Sequence, residues 1–475
     1  MKEKICIHWF RRDLRLNDNP SINFLSQFNY PILFIYINDE NHKKRRIGSA
    51  SRVWLHHSIK YLNVQLSGKL NLFSDKALDI FKKLIQEFDI QAVSWNRCYE
   101  SEEIKRDSLI KDFLKKSISN VKSFNGSLLW EPWEVLKNDG TPYKVFTPFY
   151  KRGCLLSSPP RKPLTEKINR ISDRKSECPI DSLKLLPNKN WKSKPESYWK
   201  IGEEFAEEIL DNFMLKGING YQEGRNYPSK NNVSKLSPYI HWGQISPNTI
   251  WYNVDKNKAK DLSLEDVEVF KSELGWREFS YYLLYHFPQI TEKNLQSKFD
   301  KFKWENNPEY LEKWSSGRTG YPIIDAGMRE LWKTGYMHNR VRMIVGSFLV
   351  KNLLNHWKNG ESWFWDCLFD ADSASNSASW QWVAGTGADA APYFRIFNPV
   401  TQGQRFDPNG DYVKEHIPEI KNLPIKFLHC PWEIPEELSQ KVNFKLGIDY
   451  PFPIVNIKES REKALDIFAL LKKDK

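Results

Sequence analysis

Over the first 130 residues, short β-rich runs alternate with longer amphipathic stretches. The runs "KICIHWF" (4–10), "PILFIYI" (31–37), "KLNLF" (69–73), "QAVSWN" (91–96) and "VKSFNG" (121–126) read as strands. Between them, "DKALDIFKKLIQEFD" (75–89) places Leu78, Phe81, Leu84, Ile85 and Phe88 on one helical face. "SEEIKRDSLIKDFLKKSI" (101–118) opens on acidic residues and closes on lysines, the order a helix dipole favours. Strand and helix in alternation predict an α/β domain over 1–130, built on a doubly wound parallel sheet of five strands. No G-x-G-x-x-G follows the first strand, so a dinucleotide held by that mechanism is not expected there. Residues 131–200 read as an interdomain connector, rich in Pro, Ser and Lys from 155 onward and with little periodicity. From 201 to 475 helical patterns dominate and β-branched runs nearly vanish, which predicts a large all-α domain. Neither repeats nor low-complexity tracts occur.

Composition changes this picture in two ways. Lys plus Arg number 71 against 59 Asp plus Glu, a net charge of +12 and a pI near 9.1. That balance suits a polyanion such as DNA, with a merely solvated basic surface as the equal alternative. Aromatics make up 14% of the chain and include 19 tryptophans, an excess that stacking on a flat ligand would explain. Six scattered cysteines with no Cys-x-x-Cys pair indicate reduced thiols and a cytoplasmic protein. A secretion signal and membrane insertion are not expected, because six uncharged residues precede the basic cluster at Arg11 and no 18-residue apolar run exists.

Four constellations carry candidate chemistry. In "DADSASNSASWQWVAGTGADAAPYF" (370–394), a helix from Asp372 puts Asp372, Asn376 and Trp380 on one stripe, with Trp382 turned roughly 200° from Trp380. Its Ala and Ser residues keep the surface low enough for a flat ligand, or for a tight helix crossing with tryptophans in the core. In "TGYMHNRVRMIVGSFLVKNLL" (334–354), Asn339, Arg342 and Met343 share a face that suits a polar, aromatic-like substrate. The alternative is Met343 in the core and Arg342 in solvent. In "KSELGWREFSYYLLYHFP" (271–288), Glu273, Trp276 and Arg277 combine an acid, a stacking surface and a base, for an extruded nucleobase and a phosphate or for a surface ion pair. "NVSKLSPYIHWGQIS" (232–246) offers hydroxyls and backbone amides before Pro238 at a helix start, a cradle for a diphosphate. His338 has no i, i+4 histidine partner, so no metal is expected.

Together with "WFRRDLRLNDNP" (9–20), "GYQEGRNYP" (220–228), "WREF" (276–279), "TGYPIIDAGMRELWKTGYMHNRVRM" (319–343) and "WQWVAGTGADAAPYFRIFNPVTQG" (380–403), these segments resemble the DNA photolyase and cryptochrome family. The resemblance runs from about residue 5 to 470. It implies an N-terminal antenna domain and a C-terminal helical domain that binds FAD. Tyr221, Ser234, Lys235, Leu236 and Ser237 would meet the phosphates and adenine side; Asp370, Ala371 and Asp372 the flavin and ribityl chain; Asn376 the flavin N5. Trp380, Trp357 and Trp304 match the tryptophans that carry an electron from the surface to the flavin.

The same resemblance implies light-driven repair of cyclobutane pyrimidine dimers in UV-damaged DNA by a cytoplasmic monomer, with no membrane partner. Glu273, Trp276, Asn339, Met343 and Trp382 match the dimer pocket, and Arg225, Arg340 and Gln402 the DNA-contacting positions, with Arg277 assigned to phosphate. Enzymes of the (6-4) photoproduct carry a histidine pair where this chain has Asn339 and Met343. "GSASRVWLHHSIKYL" (48–62), "WNRCYE" (95–100) and "FNGSLLWEPWEV" (124–135) are most similar to the bacterial class III branch, near plant cryptochromes. An antenna of methenyltetrahydrofolate is implied, with a deazaflavin or an empty site as alternatives. Glu102 and Glu103 stand where an Asn-Glu pair is typical, so no antenna residue is assigned. The alternative function is a blue-light photoreceptor without repair. That reading implies a long C-terminal tail, whereas this chain stops soon after "REKALDIFALLKKDK" (461–475), with Glu273, Asn339 and Met343 all in place.

Overall fold

The computed structural model describes residues 2–39, 45–165, 168–176, 178–187, 197–257 and 262–473. Five strands form: β1 (Lys4–Phe10), β2 (Ile32–Ile37), β3 (Leu70–Phe73), β4 (Asp89–Asn96) and β5 (Asn120–Phe124). All pair in parallel, in the order β3-β2-β1-β4-β5. Parallel neighbours need crossovers, and helices α1 (Pro20–Leu25), α2 (Ser49–Gln65), α3 (Ala77–Glu87) and α4 (Ser101–Leu114) supply them. The predicted doubly wound sheet is therefore present, with every strand within two residues of its expected bounds.

The chain forms two compact units. One comprises Met1–Asn219 and Ser234–Pro288, the other Gly220–Val233 and Gln289–Lys475. The first holds the sheet and also a long helix, α5 (Leu264–His286), capped by the Ser263 side chain. Part of the segment 131–200, expected as a connector, packs against α5. Phe146, Phe149, Tyr150 and Cys154 are buried, and Phe149 packs on Phe279 (5.1 Å) and Tyr282 (4.7 Å) of α5. These aromatics sit on and around a π-helical turn, Pro148–Cys154, which has neither the 2.0 nor the 3.6 period by which a buried face is read. Residues 166, 167, 177 and 188–196 of the expected connector lie outside the described residues.

The second unit is helical. Its core gathers Val341 and Ile344 from α6 (Asn339–Ser347), Trp357 and Phe364 from α7 (Trp357–Cys367), Trp380 from α8 (Ser373–Ala384) and Trp314 from a neighbouring segment. Each fully buried indole removes roughly 200 Å² from water, worth about 5 kcal/mol before ordering costs. Small residues let the helices approach: a Cβ at Gly360 of α7 would overlap the Trp380 ring.

Candidate flavin and nucleic-acid site

Helix α8 begins where a carboxylate can cap it. Asp372 lies outside the helix, and its side chain accepts from the Ser375 N–H at 2.7 Å, satisfying an otherwise unpaired donor of the first turn. From that start the 3.6 period carries Asn376 and Trp380 inward, both buried. Ser375, Ala378 and Trp382, at i, i+3 and i+7, make a half-buried strip on another face. The two indoles thus point apart, as the spacing predicts. Trp380 packs edge-on against Phe364 (5.0 Å) and Trp314 (6.1 Å), while Trp382 stays partly open. Asn376 donates from Nδ2 to the backbone oxygen of Glu361 (3.0 Å) and to its carboxylate (2.9 Å).

Beside α8, Asp370 and Arg342 form an ion pair at 3.0 Å, and Arg342 also donates to the Met337 carbonyl at 2.7 Å. Burial opposes the Arg342 charge, but Asp370 and neighbouring acceptors outweigh it and raise its pKa. Arg342 therefore braces Asp370. Ala371 is buried next to this pair. On α6, Asn339 is exposed at the first turn and Met343 is half-buried, its sulfur 3.9 Å from the Arg340 guanidinium.

Two further tryptophans lie in the same unit. Trp357 opens α7, is fully buried, and donates its indole N–H to Asn294 at 2.8 Å. Trp304 is half-buried, and His356 lies 5.3 Å from its ring and 5.5 Å from that of Trp357. Trp380, against Gly360, is one helical turn from Trp357 along α7.

In the first unit, α5 presents Glu273 and Trp276, both half-buried. One face of Trp276 stacks on Phe146 at 3.8 Å with an 11° interplanar angle, and Phe146 stacks in turn on Tyr150. Arg277, the expected phosphate contact, is half-buried on the same helix. Its guanidinium pairs with Glu278 (3.1 Å), donates to the Ser127 carbonyl (2.8 Å) and lies over Tyr281. Burial pushes the Glu278 carboxyl up to about 7, against the pull of Arg277 and the Leu129 and Trp130 N–H groups. In the 234–237 loop the Ser234 hydroxyl accepts from the Leu236 N–H at 3.4 Å. Lys235 adopts a left-handed φ of 53° and is exposed, as is Ser237, while Leu236 is buried. Ser237 starts a short helix with Pro238 in its first turn, as expected.

Cations converge in the second unit. Tyr221 is buried, with the Arg225 guanidinium 5.5 Å from its ring. Arg340 hydrogen bonds to the Asn226 side chain and lies 4.5 Å over Phe406; Arg405 covers the same ring at 5.1 Å. Burial first, then repulsion from Arg225 and Arg405, lowers the Arg340 pKa. Arg405 and half-buried Gln402 belong to α9 (Pro399–Phe406), capped by Asn398. Sequence reasoning missed Arg405, Phe146 and Glu361. Arg405 had a signal, three residues after Gln402; the other two had none without their partners. Among the described residues no three His, Cys, Asp or Glu side chains gather to hold a metal, and no helix is long and apolar enough to cross a membrane.

Residues 6–166 match the family model described as DNA photolyase, and residues 270–469 that described as the FAD binding domain of DNA photolyase. A deoxyribodipyrimidine photo-lyase of Agrobacterium fabrum is 42% identical over 480 residues, covering 100% of this chain and 99% of that one. Cryptochrome-1 of Arabidopsis thaliana is 34% identical, covering 96% of this chain and 69% of its own. The solved structure of a bacterial class III photolyase from Agrobacterium tumefaciens superposes with a TM-score of 0.94 at 42% identity, covering 100% of this chain and 98% of that one. The chain belongs to the DNA photolyase family.

Proposed function

We infer that this protein is a light-driven carbon–carbon lyase that repairs cyclobutane pyrimidine dimers in DNA with FAD as cofactor. The observation that carries the reading is the α8 strip: a flat, half-buried row of Ser375 and Ala378 beside Trp382, with the Asn376 carbonyl oxygen left without a partner among the described residues. A planar heterocycle with polar edges fits that donor and acceptor set. Asp370 held by Arg342, Asp372, Ala371, Tyr221 and the backbone of 234–237 are the residues that would hold it. Bound there and reduced, FAD supplies, on blue-light excitation, the electron that opens the cyclobutane ring.

The chain's own residues do the rest. Arg225, Arg340, Arg405 and Gln402 hold phosphates and fix the register on DNA. Photolyases as a class are an established case of base flipping, and the general cost of extruding a nucleotide, a few kcal/mol, is least for a damaged base. Trp276, backed by Phe146, and Trp382 offer apolar faces to the lesion, and Asn339 and Met343 line its polar and apolar sides. Glu273 hydrogen bonds to a pyrimidine carbonyl where negative charge develops. Trp304, Trp357 and Trp380 pass electrons inward to recharge the cofactor. An antenna of methenyltetrahydrofolate extends the absorbed spectrum, a deazaflavin or no antenna being the alternatives. The six cysteines are all free thiols, which suits a monomer in a reducing cytoplasm.

Binding in the dark tests the reading. An oligonucleotide carrying one thymine dimer is expected to bind at least a hundredfold tighter than its undamaged twin, with FAD copurifying at one per chain. Equal affinity for both would refute dimer recognition.

A further inference from the structure

An open cavity of about 700 Å³ lies within the second unit and shares no residue with the flavin, lesion or electron-carrying positions. Three aromatic side chains wall it. Tyr321 is buried and its hydroxyl is spent on the Val455 carbonyl at 2.6 Å, so it offers only its ring. Phe397 and Trp432 are half-buried. Trp432 meets Tyr321 edge-on (5.2 Å, 72°), and among the described residues no ring lies flat on it. The polar side chains at the exposed rim are donors. Lys458 and Arg461 stand at i and i+3 on one face of α10 (Ile457–Lys473), and neither has an ion-pair or side-chain hydrogen-bond partner among the described residues. Farther along the same helix Lys463 pairs with Glu305. Asn398 and Asn456 cap α9 and α10, each accepting through Oδ1, so each keeps its Nδ2 as a donor. Among the described residues no carboxylate lines the cavity.

Cations and donors with no acid beside them select an anion, and aromatic walls select a planar ring. A cavity of this size accommodates both in one molecule. We propose that it is a nucleotide site, the base stacking on Trp432 and the phosphate meeting Lys458 and Arg461. A free mononucleotide and an unpaired residue of a strand offer that same chemistry. Asn398 lies roughly 6 and 10 Å along the axis of α9 from Gln402 and Arg405, so a strand held by those two residues comes within reach. The site depends neither on flavin binding nor on dimer recognition.

Two titrations of the FAD-loaded protein test it, one with adenosine monophosphate by calorimetry and one with a labelled, unpaired oligoadenylate by fluorescence anisotropy. The double change Lys458→Gln with Arg461→Gln should weaken at least one probe about tenfold, and Trp432→Leu should weaken the same probe by a similar factor. Lys463→Gln, on the same helix, should stay within about twofold of wild type. Weaker binding of the mononucleotide assigns the site to free nucleotide; weaker binding of the strand alone assigns it to an unpaired residue. An effect of the charge change alone, or of Trp432→Leu alone, overturns the proposal, as does no effect on either probe. If Trp432→Leu does not fold, photolabelling of wild type with azidoadenosine monophosphate, and with a strand carrying azidoadenine, decides. Label on Phe397, Trp432 or the start of α10 supports the site; label found only elsewhere overturns it. FAD content and the preference for dimer-bearing DNA, measured on the same samples, test the repair reading separately.

Discussion

Each unit carries a trio of arginines, and the two trios are built differently. In the first, at the carboxyl ends of β1 and β4, Arg11 pairs with Asp107 (2.7 Å), Arg12 with Glu100, and Arg106 with Asp39 (2.8 Å) and Asp107 (2.9 Å). Burial works against these charges, yet the carboxylates prevail and the pKa of each arginine is raised. In the second, Arg340 meets a neutral amide and an aromatic face, and burial first, then Arg225 and Arg405, lowers its pKa. A cation neutralised inside its own unit is structure. Arg340, half-buried beside two further cations and bonded to a neutral amide, is where we propose that a DNA backbone makes contact.

Breaking the first trio should have the largest effect. Arg11→Ala leaves Asp107 with Arg106 alone and frees the Asn96 carbonyl that Arg11 also bonds, and urea unfolding should show a loss of about 2–3 kcal/mol. A third kind of buried cation sharpens the contrast. Lys351 is 1% exposed, donates to the Arg395 carbonyl at 2.9 Å, and has its pKa lowered by burial, then by Arg395, to about 7. Between pH 7 and the unfolded value near 10.4, the unfolded chain binds more protons than the native one, so stability rises with pH. The slope is at most about 1.4 kcal/mol per pH unit. Lys351→Met should remove that slope, being more stable than wild type at pH 6 and losing the advantage by pH 10, as read from urea midpoints. Next comes Arg340→Ala, expected to weaken DNA binding about tenfold and reduce the salt slope by about 1 without lowering the urea midpoint. Arg405→Ala, exposed on α9, should cost about threefold in the same assay and nothing in folding. A folding defect in Arg340→Ala equal to that in Arg11→Ala would erase the distinction between the trios.

What the sequence disclosed follows from where the physics is local. Strands such as β2, buried along all six residues, show as unbroken apolar runs, and turn residues bound them. The stripe of Asp372, Asn376 and Trp380 is legible because a cap and a 3.6 period fix which side chains share a face. Partnerships across the chain are not legible. Phe146 gives no periodic signal and meets Trp276 from 130 positions away. The i, i+4 spacing suggested Glu273 for Arg277, but the adjacent Glu278 and the Ser127 carbonyl take that guanidinium. The compact units also divide at 219/220, 233/234 and 288/289 rather than once, and a hydrophobic pattern cannot report a segment that crosses between units and back.

Blue-light-dependent loss of thymine dimers from a damaged oligonucleotide tests the central claim most directly, with flavin verified as fully reduced and an identical dark sample beside it. The account predicts dimer loss that follows light dose in the illuminated sample and none in the dark, with Glu273→Ala lowering the yield per photon while leaving FAD content unchanged. Illuminated, reduced, DNA-bound protein that repairs no dimers would contradict it and would favour the photoreceptor alternative.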